Sequence, residues 1–189
     1  MTDIDTSRIP KRLLWVDLEM TGLDPAKDVI LEVAAEITDF NFKTLASYTA
    51  CVRHPKEQVL ELMQQNSWWA AFPKNRDAFI EKLDEAKSSD EVEQDLIKLL
   101  ETQFGDEPAI LAGNSIHNDR NFIKQWWPKL DTKLHYRMLD VTAFKVLFQG
   151  KYDVEYPKPD VHRAYDDIRA SIAELEFYLE WFSKNAHSS

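Results

Sequence analysis

Leu13–Asp24, LLWVDLEMTGLD, is an apolar run that carries two carboxylates, Asp17 and Glu19, two positions apart. Leu13, Leu14, Trp15 and Val16 make it a buried strand, and side chains at i and i+2 of a strand share a face. Both acids therefore aim at one point, beside neighbours that favour a dry setting. A carboxylate buried without a partner costs several kcal/mol or takes up a proton, and two together cost more. Hard divalent cations prefer oxygen ligands and would neutralise such a pair. Gly22 permits a turn straight after the strand, so the acids sit at a strand end facing a cleft. The bland alternative is an exposed edge strand with acids there by chance.

Downstream, residues 29–38 alternate, with Val29, Leu31, Val33, Ala35 and Ile37 on one face and Glu32, Glu36 and Thr38 on the other. That pattern predicts a strand that is wet on part of one side. Asp39-Phe40-Asn41 supplies a turn and Thr44 to Arg53 a third strand, giving an antiparallel meander that begins with the acid-bearing strand. Helical spacing follows near 56–66 (Val59, Leu62, Met63) and near 74–87 (Phe79, Ile80, Leu83). Ser88 and Glu91 have capping-box spacing for a helix to about Phe104. PAILAG, residues 108–113, reads as a short buried strand, and Asn118 to Trp126 as a helix halted by Pro128. His135 to Leu139 is the next strand, after which Asp140 caps a helix over Val141 to Phe148. Pro157 and Pro159 make 149–161 an irregular loop, and a long helix starts at Ala164. Strands first, then strands alternating with helices, predict an α/β fold: a mixed sheet with helices on both faces.

The chain is 44% hydrophobic with six Trp, six Tyr and ten Phe, enough for one large core. We read residues 1–189 as a single domain, with 1–10 a flexible N-terminus and 184–189 a short tail. The single Cys51 cannot form an internal disulfide, which fits a reducing cytosol and a cytoplasmic protein. Neither a signal peptide nor a membrane span is expected, because no apolar segment is long enough. Net charge is −10, from 33 acids against 23 bases, and no basic stripe is visible. Long nucleic acid, duplex above all, is gripped by such stripes, so a polyanionic substrate here must be held locally, by bound metal and a few Arg or Lys, which favours a short substrate over a long one.

Asp119 lies in the first turn of the helix that follows the PAILAG strand. The helix dipole favours an acid there, and a metal ligand is the other reading. In the last helix Ile168, Ile172, Leu175, Leu179 and Phe182 fall within about 40° of one line at 100° per residue, with Asp166 about 160° and Asp167 about 100° away. Asp166 thus faces water, and Asp167, on the flank, is the candidate ligand. His162 can approach Asp167 only from the loop before the helix. Asp140 reads as a cap, His117 and His135 as ordinary. Trp68-Trp69 is either core or a base-stacking platform, and Trp126-Trp127 is core.

D-x-E near the start, an Asp after G-N-S and a late H-x4-D resemble the DEDDh 3′-to-5′ exonucleases. WVDLEMTGLD, GNSIHNDRNF, HYRMLDVTAFK and HRAYDDIRASIAELEFY extend the resemblance to the oligoribonuclease family over nearly the whole chain. The resemblance implies an RNase H-like fold, a mixed five-stranded sheet flanked by helices, and a homodimer. It implies cleavage of very short single-stranded RNA, 2–5 nucleotides and dinucleotides especially, to 5′-mononucleotides. Asp17, Glu19, Asp119 and Asp167 would hold two divalent ions, Mg2+ or Mn2+, and His162 would be the general base. Leu18 would be an apolar wedge between bases and Trp68 a stacking residue. Ser115 would bind the terminal phosphate, with Thr142 nearby and Tyr136 and Arg137 reaching in from the partner subunit. Two other readings remain at this point. A member acting on longer strands would bring basic clusters, and a non-catalytic RNA-end-binding protein is expected to have lost one of the five chemical residues.

Overall fold

The acid-bearing segment becomes β1 (Arg12–Met20), the middle strand of a five-stranded sheet in the computed structural model, which describes residues 11–157 and 164–185. Antiparallel to it runs β2 (Ile30–Asp39), followed by β3 (Thr44–Cys51), the meander expected from the turn at Asp39. On the other side, parallel to β1, lie β4 (Ala109–Gly113) and then β5 (Leu134–Asp140), so the order is β3-β2-β1-β4-β5. The helices are α1 (Lys56–Gln64), α2 (Ser67–Ala71), α3 (Pro73–Lys82), α4 (Ser89–Phe104), α5 (His117–Trp126), α6 (Pro128–Asp131), α7 (Val141–Tyr152) and α8 (Ala164–Asn185).

Strand alternation sorts the core into two layers. Leu14, Val16 and Leu18, with Val33, Ala35 and Ile37, pack on Val92, Leu96 and Leu100 of α4 and on Phe122 and Ile123 of α5. Leu13 and Trp15, with Ala34, Ile110 and Ala112, pack on Val141 of α7 and on Ala164, Ile168, Ile172 and Leu175 of α8. Each Val, Leu, Ile or Phe among them taken fully out of water contributes roughly 1.5–3 kcal/mol relative to exposure. A third cluster joins Val29 and Leu31 to Val59, Met63 and Trp69, pinning α1 and α2 to the end of β2. The capping box at Ser88 and Glu91 forms as its spacing predicts, and Asp140 caps α7 by accepting from the Thr142 amide.

Three expectations need correction. The second face of β2 is wet only at the half-buried Glu32: Glu36 is 0% exposed, and Thr38 is buried where its hydroxyl accepts from the Trp15 indole at 2.9 Å. A single sequence shows the alternation of β2 but not the helix, α8, that covers its polar side. The Glu36 charge is met by Arg169 of α8 at 2.8 Å and by the Thr44 hydroxyl at 2.6 Å. Leu179 and Phe182, placed on the buried stripe of α8, are exposed, because the C-terminal part of the helix turns Tyr178 inward instead, 4.8 Å from the Phe148 ring of α7. As expected, α5 ends at Trp126 before Pro128, which also opens the short α6, since a proline at the first helical position needs no amide partner. Finally, α7 continues to Tyr152 into the expected loop, ending at Asp153 with φ 54°, and α8 reaches Asn185 into the expected tail. Residues 1–10, 158–163 and 186–189, with the expectations placed on them, lie outside the described residues. Among those described, no helix is long and apolar enough to cross a membrane.

Candidate active site

Asp17 and Glu19 continue the Leu13–Trp15 face of β1, opposite Ala34 and Glu32 on β2. The ladder shifts register between Glu19 and Met20, so the sheet opens where the acids stand. Above them the first turn of α8 brings in Asp167, half-buried as its helical phase predicts, while Asp166 faces water. Oxygens of Asp17, Glu19 and Asp167 all lie within 4.8 Å of one another. Like charges this close, partly out of water, repel strongly, and a divalent ion relieves that repulsion best. The donor set is oxygen only, which fits a hard divalent cation and not a thiolate- or imidazole-seeking one.

Asp119 stands beside this group and not inside it. It is 7% exposed in the first turn of α5, and its Oδ1 accepts from the Leu18 amide at 3.0 Å. Burial pushes its carboxyl up to about 7, against the pull of the Leu18 hydrogen bond. The amide it engages lies between Asp17 and Glu19, so three acids meet directly and the fourth is one backbone bond away.

The turn after β1 is tightly built. The Thr21 hydroxyl donates to Asp28 at 2.8 Å, and the Asp24 amide donates to the other oxygen of Asp28 at 2.9 Å. Gly22 is required here, because a Cβ on it would lie 2.5 Å from Asp28 Oδ2. The Thr21 carbonyl accepts from Asn66 Nδ2 at 3.1 Å and from the Trp69 indole at 2.9 Å, tethering α2 to the end of the acid strand. Trp69 is thereby core, 2% exposed, and Trp68 is the half-buried member of the pair, 4.6 Å from the rings of Trp69 and Phe72.

Leu18 does not fit the role of a wedge. It is 5% exposed and points to the opposite face from Asp17 and Glu19, into the packing against α4 and α5. Strand alternation itself forbids a residue between two same-face acids from sharing their side. Sequence reading overlooked Leu23, an apolar residue that is 74% exposed in the turn after β1. Its signal was available: a leucine between Gly22 and Asp24 sits where turn residues are polar.

Ser115 follows β4 with φ 49°, its amide donating to Asp140 Oδ1 at 3.0 Å and to Thr142 Oγ1 at 2.9 Å. Gly113 allows the close approach, since a Cβ there would lie 3.0 Å from the Val16 carbonyl oxygen. Tyr136 and Arg137 are exposed on β5, beyond β4 from β1, with the guanidinium 5.0 Å from the Tyr136 ring centroid. His117 is exposed, 3.8 Å from Asp140, and His135 is buried under Tyr136. His162 lies outside the described residues.

Residues 14–175 match the Exonuclease family that includes RNase T. The chain is 39% identical over 186 residues to a probable oligoribonuclease of Caenorhabditis elegans, covering 96% of this chain and 95% of that one. The chain belongs to the oligoribonuclease family. Other members it resembles are the oligoribonucleases of Francisella tularensis subsp. novicida, 38% identical over 89% of this chain and 94% of that one, and of Corynebacterium glutamicum, 41% identical over 90% and 80%. As a member of this family the protein is a hydrolase of the exonuclease class. Among solved structures, E. coli exonuclease I in complex with a 5cy-dT13 oligonucleotide superposes with a TM-score of 0.60 at 14% identity. That match covers 88% of this chain but only 40% of the other, so it shows a common RNase H-like fold and nothing finer.

Proposed function

We propose that this oligoribonuclease-family chain cleaves very short RNA, dinucleotides foremost, from the 3′ end into 5′-mononucleotides in the cytoplasm. The observation that carries the proposal is the group of Asp17, Glu19 and Asp167, oxygens within 4.8 Å of one another, in a chain whose net charge of −10 suits no long polyanion. These three carboxylates, with Asp119 alongside, would hold two divalent ions, Mg2+ or Mn2+. When bound, such ions supply Lewis acidity, an activated water at neutral pH and neutralisation of charge on the phosphate.

The protein's own groups do the rest. His162, assigned on its sequence position, takes the proton from the attacking water, a role suited to a group whose ordinary pKa is near 6.5. Trp68 offers the half-buried ring on which a base stacks, and Leu23, not Leu18, offers the exposed apolar contact beside the acids. The Ser115 hydroxyl, with Thr142 behind it, is the donor for the terminal phosphate. Tyr136 and Arg137 present a cation backed by a ring, suited to the same phosphate across a homodimer. The exposed Val146 and Leu147 of α7 and Leu179 and Phe182 of α8 supply the apolar face that a second copy would cover.

A labelled diribonucleotide should be turned over only with added Mg2+ or Mn2+, and EDTA should stop it. Metal-independent turnover overturns the assignment of the acids. In competition binding, RNAs of two, five and ten nucleotides should rank shortest first; tightest binding to the longest would sink the length preference. Light scattering of the purified chain tests the dimer.

A further inference from the structure

Asp167 reaches Asp17 and Glu19 only if α8 lies at the right height along the sheet. The packing of Ile168, Ile172 and Leu175 holds α8 against the sheet, and directional polar bonds add to it in setting that height. Among the described residues the polar bonds form two groups. One is built on Glu36, which takes the ion pair of the half-exposed Arg169 and a hydrogen bond from Tyr165. The other is built around Asn114, the first residue after β4.

The Asn114 amide is used on all sides. Its Nδ2 donates to Ser171 Oγ at 2.9 Å and to Glu174 Oε2 at 3.2 Å, and its Oδ1 accepts from Thr142 Oγ1 at 3.3 Å. Ser171 lies one helical turn beyond Asp167 on α8. Glu174 is buried, and its second oxygen accepts from the Tyr178 hydroxyl at 3.1 Å. A carboxylate is acceptor-only, so the orientation of the amide is dictated by its partners. One side chain thus joins α8, the start of α7 and the loop that leads into the Asp119 helix.

We propose that Asn114 is a positioning residue whose amide sets the height of α8, and thereby the placement of Asp167 against Asp17, Glu19 and Asp119. The inference rests on the reading that these acids hold divalent cations. Nothing in it requires Asn114 to touch substrate or ion: it acts on the ligands' geometry from behind, where outer partners of a metal site govern affinity.

The test is a Mn2+ titration of the purified full chain followed by electron paramagnetic resonance, with thermal unfolding in parallel. Asn114→Asp sets a carboxylate against Glu174 and should weaken Mn2+ binding at least roughly tenfold. Adding Glu174→Gln restores a donor facing an acceptor in exchanged order and should recover most of that affinity. Ser171→Ala, which removes one acceptor and adds no charge, should weaken Mn2+ binding more mildly and keeps the test open if Asn114→Asp does not fold. Folded variants that melt earlier yet bind Mn2+ like the wild type would show a merely structural role and overturn the proposal, as would failure of the paired exchange to recover affinity. A wild-type chain that binds no Mn2+ would instead overturn the reading of the acids on which the proposal stands.

Discussion

On one face of β1, Leu14, Val16 and Leu18 run unbroken into the packing of α4 and α5, while on the other Leu13 and Trp15 give way to Asp17 and Glu19 beneath the first turn of α8. The backbone is the same, and the side chains differ only in parity. The first face gains stability from every residue along it. The second gives up burial at its end to crowd like charges, a cost that a fold carries only for chemistry. The comparison teaches that neighbouring positions on one strand should respond oppositely to substitution.

The largest expected effect is on the charged face. Asp17→Asn should lower diribonucleotide turnover by at least about 10²–10³-fold, measured at saturating Mg2+, while thermal unfolding of the metal-free protein shows equal or greater stability because repulsion is relieved. A destabilised Asp17→Asn protein that keeps its turnover would erase the contrast between the faces. One residue along, Leu18→Ala should do the reverse, costing about 2–5 kcal/mol in denaturant unfolding with little change in kcat well below the transition. A loss of turnover without a loss of stability would return Leu18 to the substrate.

The paired tryptophans sharpen the same division at the end of the strand. Trp69→Ala removes core and should be felt in stability, whereas Trp68→Ala should weaken dinucleotide binding by about 1–3 kcal/mol, read as a rise in KM with kcat nearly constant. If Trp68→Ala changed only stability, the stacking platform would have to be sought elsewhere. The smallest effect concerns His54, whose Nε2 sits 2.8 Å from the Ile30 carbonyl and whose pKa burial holds below its ordinary value. The unfolded chain therefore binds the proton more readily, so stability from this group is present above its ordinary value near 6.5 and is lost as pH falls through the lower folded value. His54→Gln should flatten the slope of melting temperature against pH in that window, and an unchanged slope would assign it to other groups.

Much of this is legible in the sequence. The D-x-E spacing placed Asp17 and Glu19 on one face because a strand has period two, and helical phase separated Asp167 from Asp166 because a helix turns 100° per residue. The capping box at Ser88 and the cap at Asp140 could be read for the same reason: each is set by residues within three or four positions of one another. What could not be read is how distant elements meet. Burial of Glu36 needed α8 to cover β2, exposure of Leu179 and Phe182 needed Tyr178 to pack on Phe148 of α7 in their place, and Asp119 needed the Leu18 amide, about a hundred positions away, to draw it beside the others.

The sequence by itself determined the strand, the phase of each acid and the family, since these depend on local periodicity and on residue identity. Only the tertiary structure decided that α4 and α5 cover the Leu18 face, that Trp68 and not Trp69 is available, and that Asn114 ties α8 in place. Those outcomes depend on which surfaces pack against which, and packing is a property of the whole chain at once.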